Sequence, residues 1–115
     1  MESFQVGQVW SFDGREDDPN PCIVVLEKEP FLNKTAVHVR ITGVKIQTSN
    51  GQILTEIGHV PVCEKNIRDS VQVYLGETSV REAGLEGIKA WRNAGGGVYN
   101  ISLKEIVSTI EQSLQ

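Results

Sequence analysis

The stretch Val37-His-Val-Arg-Ile-Thr-Gly-Val-Lys-Ile-Gln-Thr-Ser-Asn-Gly-Gln-Ile-Leu-Thr-Glu-Ile57 decides the fold of this chain. Up to Ile41 its apolar residues occupy odd positions and polar residues the even ones, which is the period of a half-buried β-strand. After Gly43 the apolar residues move to even positions, beginning with Val44. A change of parity at a glycine predicts a β-bulge near Thr42 and Gly43, which keeps the apolar face inward and bends the strand.

The same stretch contains a hairpin signal at Asn50-Gly51. A type I′ turn needs positive φ at both central residues, and this dipeptide accepts that conformation. A two-residue loop here predicts a register with one apolar and one polar face. The predicted pairs are Val44 with Ile57, Ile46 with Thr55, Thr48 with Ile53, and Lys45 with Glu56.

Two further strands are predicted before this hairpin. Residues 4–12 are rich in β-branched and aromatic side chains, and the polar segment Asp13–Pro21 after them has the composition of a turn. Cys22–Leu26 is a continuous apolar run between prolines, the pattern of a strand covered on both faces.

The C-terminal half changes to helical periodicity. One helix is expected over residues 64–74, with Ile67, Val71, Tyr74 and Leu75 on one face. A capping-box sequence over residues 79–82 predicts a second helix, with Val80, Ala83, Ile88 and Trp91 directed inward.

Residues after the second helix predict its end and one more helix. The glycines of residues 95–97 end the second helix and lead into a short strand over residues 98–101. Ser102-Leu-Lys-Glu105 is a capping box that opens the last helix. The chain is therefore predicted to be one α+β domain, residues 1–115, with a bent N-terminal antiparallel sheet, two to three C-terminal helices and a short strand.

Composition agrees with a folded domain. The chain has 115 residues, 39% of them hydrophobic and 23% charged, values typical of globular proteins. It has no apolar run long enough to cross a bilayer and no signal-peptide pattern at its N-terminus, so a cytoplasmic location is expected. Cys22 and Cys63 form no C-x-x-C pair, which favours reduced, buried thiols, with a single bridge between them as the alternative.

The formal charge of −4 is opposite in sign to that expected of a nucleic-acid-binding protein. Residues 1–35 carry all of this excess, since they hold seven acidic and three basic side chains. Within them the loop after the first strand is either a solvated acidic turn or a patch that binds a protein partner. Calcium binding through Asp13, Asp17 and Asp18 is a further alternative, although the EF-hand spacing is absent. The residues predicted for the partner-binding patch are Asp13, Arg15, Glu16, Asp17 and Asp18.

Candidate catalytic residues are few. His38 and His59 are the only histidines, and His38 is predicted to be a solvent-facing strand residue. His59 and Cys63 together suggest a nucleophile pair, against the simpler interpretation of Cys63 as a buried structural cysteine. His59, Cys63 and Glu64, with His38 added through space, make only a loose metal cluster, so no metal or cofactor is predicted. Residues 95–97 lack a phosphate-binding frame.

Parts of the sequence resemble known groups. Two segments of the chain resemble a group of small bacterial proteins. They are the opening segment Val6-Gly-Gln-Val-Trp-Ser-Phe12 with Arg15-Glu16-Asp17, and the closing segment Gly97-Val-Tyr-Asn-Ile-Ser102. This resemblance implies no activity. A small, acidic, single-domain α+β chain is also similar to the immunity proteins that neutralise bacterial toxins, many of which are basic nucleases. The first strand is similar to the start of SH3-like barrels, including toxin ribonucleases of that fold. Such a ribonuclease should present a basic RNA-binding face, whereas the excess charge of this chain is acidic.

Three functional hypotheses follow from these patterns. The first is a non-enzymatic binding protein, an immunity or antitoxin-type inhibitor that docks on a basic toxin or nuclease through the acidic loop. The second is a small hydrolase or nuclease that uses His59 and Cys63. The third is an RNA-binding accessory domain in which Trp10 or Trp91 stacks on bases, although both tryptophans are explained more simply as core residues.

Overall fold

The computed structural model describes residues 4–80 and 82–115. These form five strands and three helices. In chain order they are β1 (Gln8–Phe12), β2 (Cys22–Phe31), β3 (Lys34–Gln47), β4 (Ile53–Cys63), α1 (Glu64–Ser70), β5 (Val71–Glu77), α2 (Glu82–Ala94) and α3 (Leu103–Ser113). No helix among the described residues has the length and apolar character needed to cross a membrane.

All five strands belong to one antiparallel sheet with the order β4-β3-β2-β1-β5. The first four strands follow one another as neighbours, and α1 brings the chain back so that β5 pairs with β1. The predicted α+β class with an N-terminal antiparallel sheet is confirmed. The SH3-like comparison stays a prediction.

Helices cover both faces of this sheet. On one face, α1 and α3 close the main core, and α2 lies across β3 and β4 on the other face. The sheet and these two helices both contribute apolar residues to the main core. Val39 of β3 and Ile106 of α3 are examples, and neither has any exposed surface. Burial of such side chains is the dominant favourable contribution to folding, at about 1.5 to 3 kcal/mol for each.

The predicted bulge at Gly43 is confirmed. Gly43 has φ +70°, and the β3–β4 register shifts between Thr42 and Ile46. Asn20 of the β1–β2 loop packs here, since its backbone N–H donates to the Gly43 carbonyl oxygen at 2.9 Å. A Cβ at position 43 would overlap the Asn20 carbonyl oxygen, so glycine is required for both conformation and space.

The predicted hairpin register is wrong by one residue beside the turn and by three beyond the Gly43 bulge, where Ile57 pairs with Ile41 and Glu56 with Thr42. Ile46 pairs with Leu54 and Gln47 with Ile53. The loop is longer than expected because Thr48 donates its backbone N–H to the Gln52 carbonyl oxygen, leaving three residues between them. Positive φ occurs only at Gly51 of the Asn-Gly dipeptide, which fits a type I turn followed by a G1 bulge rather than type I′.

The first predicted helix is too long, because it ends at Ser70 and the chain continues as β5. The apolar spacing of residues 67–75 fits a helix, but its β-branched and aromatic members also suit a strand. Pairing of β5 with the free side of β1 decided between the two conformations. Ser70 marks the junction, since its hydroxyl donates to the Asn66 carbonyl oxygen and accepts from the Leu103 N–H.

Two predicted features at the ends of the later helices are confirmed. Gly95 has φ +65°, and the N–H groups of Gly95 and Gly96 donate to the carbonyl oxygens of Arg92 and Trp91, which is a Schellman motif. The capping box over residues 102–105 is present in α3.

Other details of this half differ from prediction or lie outside the described part. The strand predicted over residues 98–101 is reduced to a single bridge between Tyr99 and Val62. Arg81, within the capping box predicted over residues 79–82, lies outside the described residues, as does the side chain of Ala83. Ile88 is buried as predicted, and Trp91 is partly buried.

Candidate functional site

The acidic β1–β2 loop is held in place by a buried carboxylate. The Asp18 side chain has no exposed surface and forms an ion pair with the Arg15 guanidinium, with Nη2 to Oδ1 at 2.9 Å and Nε to Oδ2 at 3.1 Å. It also accepts the backbone N–H groups of Arg15 and Lys45. Burial raises the pKa of Asp18, but these hydrogen bonds outweigh it and leave the pKa below its ordinary value.

Arg15 extends this clamp to the rest of the protein. Its Nη1 donates to Glu111 of α3 at 2.8 Å, and its Nη2 donates to the Lys45 carbonyl oxygen of β3 at 2.8 Å. Glu111 in turn accepts the Gln47 backbone N–H at 2.8 Å. The loop is therefore joined to a strand and a helix, and two of its five predicted contact residues, Arg15 and Asp18, fix its conformation instead of facing outward.

The other three predicted contact residues are on the surface. Asp13, Glu16 and Asp17 are all exposed. Within the part of the chain that the structure describes, none of their carboxylates forms an ion pair. The backbone N–H of Asp13 donates to the Ser70 carbonyl oxygen at 3.0 Å, so this acidic surface lies beside the start of β5.

β5 is an edge strand with apolar side chains exposed. Val73, Tyr74 and Leu75 expose 56%, 46% and 53% of their surface. The Tyr74 ring contacts Trp10 with the ring centroids 5.2 Å apart, and Trp10 contacts Phe4 at 5.6 Å. Trp10 is therefore partly buried in an aromatic row beneath this edge, which agrees with its interpretation as a core residue.

The second face of the sheet holds a polar cluster that the sequence did not predict. His38 was expected to face solvent, and this is wrong, because its exposed fraction is 0%. Its Nδ1 lies 2.8 Å from Nε2 of His59, and its Nε2 lies 2.8 Å from Oε1 of Glu29. The helix α2 covers the face on which His38 points, and this explains the difference.

Proton positions in the cluster follow from charge. Burial lowers the pKa of His38 despite the Glu29 carboxylate, and burial together with His38 lowers the pKa of His59 to about 4. Both rings are neutral at pH 7. His38 therefore donates its Nε2–H to Glu29 and accepts at Nδ1 the Nε2–H of His59. The proton of neutral His59 is then on Nε2, and its Nδ1 is unprotonated.

Arg92 closes the cluster from α2. Its guanidinium donates to both oxygens of Glu29, at 2.9 to 3.3 Å, and to Glu27 at 3.0 Å. Trp91, on the same helix, lies with its ring edge-on to His38 at a centroid distance of 4.7 Å, and its Nε1–H donates to the Gly97 carbonyl oxygen. These contacts make Trp91 a packing residue of α2.

Close packing of α2 over His59 depends on Gly87. A Cβ at position 87 would lie 2.8 Å from His59 Cβ and 3.2 Å from its Nδ1. The helix backbone thus lies against the unprotonated nitrogen of the ring. Both ring nitrogens of the buried His38 are hydrogen-bonded, and the close contact at Gly87 positions α2 on the sheet.

The structure does not bring His59 and Cys63 together as a nucleophile pair. The two residues lie four positions apart in β4, a separation of about 13 Å along an extended strand. The Nε2 of His59 is engaged with His38. Cys63 is buried and instead lines a groove of about 250 Å³ with cationic side chains, Lys34, Lys65 and Arg68.

Cys22 and Cys63 are both buried free thiols, as predicted. Cys22 pairs with Thr42 of β3 and Cys63 with Ala36, so six residues of β3 separate their positions along the sheet, about 20 Å. A disulfide requires Cα atoms within about 7 Å, and the alternative of a bridge between them is therefore wrong.

No group of three or more potential metal ligands occurs among residues 4–80 and 82–115. The calcium alternative conflicts with the clamp, because the Arg15 guanidinium donates to both oxygens of Asp18.

Comparison with protein-family models, curated proteins and solved structures found no significant match to the chain. The resemblances drawn from the opening and closing segments stay predictions.

One sequence signal could have located the histidine cluster. The second predicted helix has apolar residues, such as Ile88, that need a surface on which to pack. The other helices already cover the apolar face of the sheet. The second helix therefore has to pack on the polar face of β3, where His38 lies. What the sequence could not show is that Glu29, His59 and Arg92 meet at that position.

Proposed function

We propose that this chain is a non-enzymatic protein-binding domain, an immunity or antitoxin-type inhibitor that docks on a basic toxin or nuclease. The observation that carries the proposal is the β1–β2 loop. Its buried Asp18–Arg15 pair fixes the loop, and three carboxylates with no ion-pair partner among the described residues face outward from it. The proposal places the protein in the cytoplasm, which two free buried thiols support.

A fixed acidic loop suits this function for two reasons. A loop already in its bound conformation loses less conformational entropy when the partner binds. Clustered charges of one sign also accelerate encounter with a surface of the opposite sign. The net charge of −4 contributes in the same direction. The alternative enzyme that uses His59 and Cys63 gains no support, because those side chains do not meet.

The test begins with the partner. The tagged protein is purified from its host, the stoichiometric partner is identified by mass spectrometry, and that partner is then produced for kinetic measurements. Reversal of charge in the double variant Glu16→Lys/Asp17→Lys is expected to lower the association rate about tenfold or more and to flatten its dependence on salt.

The matched control is Glu82→Lys/Glu86→Lys, which changes the net charge equally on α2. This control should bind almost as the unmodified protein does. Equal losses in both double variants would mean that only net charge matters, and the loop proposal would then be wrong. Failure to recover any stoichiometric partner would also count against it.

A third variant separates charge from loop conformation. Asp18→Asn leaves Asp13, Glu16 and Asp17 in place but breaks the ion pair with Arg15. Weaker binding by Asp18→Asn, with its global fold retained in circular dichroism, would show that the fixed conformation matters. Inhibition of the partner's activity, measured with the purified pair, distinguishes an inhibitor from a simple binding domain.

A further inference from the structure

The two edges of the sheet are not equally protected. At the β4 edge, Pro61 has no N–H to offer a neighbouring strand. The backbone around Tyr99 covers this part of β4, since Tyr99 N–H donates to the Pro61 carbonyl oxygen and Cys63 N–H donates to the Tyr99 carbonyl oxygen. The Pro61–Cys63 part of this edge is therefore closed to another strand.

Within the described part of the chain, the β5 edge has neither a proline nor a covering segment, and two register shifts interrupt its pairing with β1. β5 pairs with β1 on one side and is the last strand of the sheet on the other. Its sequence, Val71-Gln-Val-Tyr-Leu-Gly-Glu77, contains no proline, lysine or arginine, the residues that usually protect an edge. Its side chains Val73, Tyr74 and Leu75 are exposed, so an added strand would find apolar contacts beside a row of backbone donors and acceptors.

The charges around β5 favour a basic occupant. Asp69, two residues before the strand, is exposed, and Glu77 ends the strand. The backbone N–H of Asp13 donates to the Ser70 carbonyl oxygen, so Asp13 lies at the start of the strand. Acidic side chains therefore flank the apolar edge at both ends. A strand that carries lysine or arginine would meet complementary charge at each end.

The same charges disfavour a second copy of this chain. Antiparallel pairing of two β5 strands would place Glu77 of one copy beside Asp69 and Asp13 of the other. Like charges at both ends of the paired strands oppose this association. The edge is thus better suited to a different, basic chain than to self-association.

We infer that β5 is a strand-addition site, which binds an extended, basic segment of a protein partner through its backbone. This inference rests on the proposed function, since it identifies how the basic partner of the acidic loop would dock. The loop would attract the partner, and the edge of β5 would hold it.

The probe is a synthetic peptide of eight residues that alternates lysine and valine. A second version carries N-methyl groups on its two central residues, so that both edges of the peptide lose a hydrogen-bond donor. A third version replaces lysine by glutamate. Binding is followed by titration of the isotopically labelled protein in nitrogen–proton correlation spectra, which report each backbone amide.

The expected result is that the lysine peptide shifts the amide signals of residues 71–77. N-methylation should weaken binding about tenfold or more, because backbone hydrogen bonds are lost. The glutamate peptide should not bind. In the protein, Leu75→Lys should abolish binding, while Ile53→Lys, a position of almost equal exposure in β4 (54% against 53%), should leave it nearly unchanged.

Several results would overturn the inference. Shifts confined to residues 13–17 and unaffected by N-methylation would keep the acidic-loop proposal but exclude strand addition. No detectable binding at millimolar peptide, or equal binding of the glutamate peptide, would reject the basic strand. A dimer in sedimentation that Leu75→Lys dissociates would show that a second copy occupies the edge. Conversely, partner binding lost with Leu75→Lys but unchanged in Glu16→Lys/Asp17→Lys would reject the loop proposal alone.

Discussion

The two faces of the sheet are built on different principles. The core under α1 and α3 is formed by apolar side chains, such as Ile106, and the buried Ser70 hydroxyl there is hydrogen-bonded to the backbone of both helices. The face under α2 includes a fully buried histidine, His38, with a carboxylate and a second histidine as partners. The first face needs mainly apolar side chains of suitable volume, whereas on the second each buried polar group without a partner lowers stability.

The largest effect is expected from a cavity on the apolar face. Ile106→Ala should lower the free energy of unfolding by about 4 kcal/mol, because the surrounding core of strands and helices cannot collapse into the space. Ile88→Ala, at the equally buried residue of α2, should cost about 2 kcal/mol, because α2 can settle toward the sheet. Urea unfolding of both variants measures the difference, and equal losses would show that the two faces are equally rigid.

Acidification should affect mainly the polar face. The pKa of His59 falls from an ordinary value of 6.5 to about 4 on folding, so between these values the unfolded chain binds more protons than the folded one. Stability is therefore complete above pH 6.5 and decreases as the pH falls toward 4. The expected loss between pH 7 and pH 4.5 is about 2 kcal/mol, measured by urea unfolding at each pH.

The control for this pH dependence is His59→Gln, which can still donate a hydrogen bond to His38. It should remove a large part of the slope between pH 4.5 and 6.5, and His38, whose pKa is also lowered, should account for the rest. Carboxylates such as Asp18, with a lowered pKa, lose their contribution only at lower pH. An unchanged slope in His59→Gln would mean that the histidine cluster is not the cause.

The smallest effect is expected at the contact between α2 and the histidines. Gly87→Ala adds a Cβ that would lie 2.8 Å from His59 Cβ, and the helix must shift to make room. Overpacking costs about 1 to 3 kcal/mol, while alanine improves helix propensity by about 1 kcal/mol, so a net loss of about 1 kcal/mol is expected. Glu86→Ala, at the adjacent exposed position, should change stability by less than about 0.5 kcal/mol.

A spectroscopic measurement makes the Gly87 prediction more specific. When α2 moves away from the sheet, His59 becomes more hydrated, and its pKa should rise toward the ordinary value. Histidine proton resonances followed against pH report this directly. A stabilised Gly87→Ala variant with an unchanged His59 pKa would show that the contact between α2 and His59 is not tight.

Much of the fold could be predicted from local patterns because each pattern reflects a local physical requirement. The alternation along β3 and the bulge at Gly43 follow from side-chain geometry and from the need for positive φ. The capping box at Ser102 and the helix end at Gly95 follow from unsatisfied backbone groups at helix termini. These features depend on a few neighbouring residues, so the sequence by itself determined them.

The tertiary structure decided features in which distant residues compete or meet. Residues 71–75 suit either helix or strand, and the unpaired side of β1 selected the strand. The acidic loop was visible in the sequence. Only tertiary contacts, such as the hydrogen bond from Arg15 to Glu111, 96 residues away, distinguish its buried carboxylate, Asp18, from its exposed ones. His38 is buried because a helix from the other half of the chain lies over it, which local alternation cannot show.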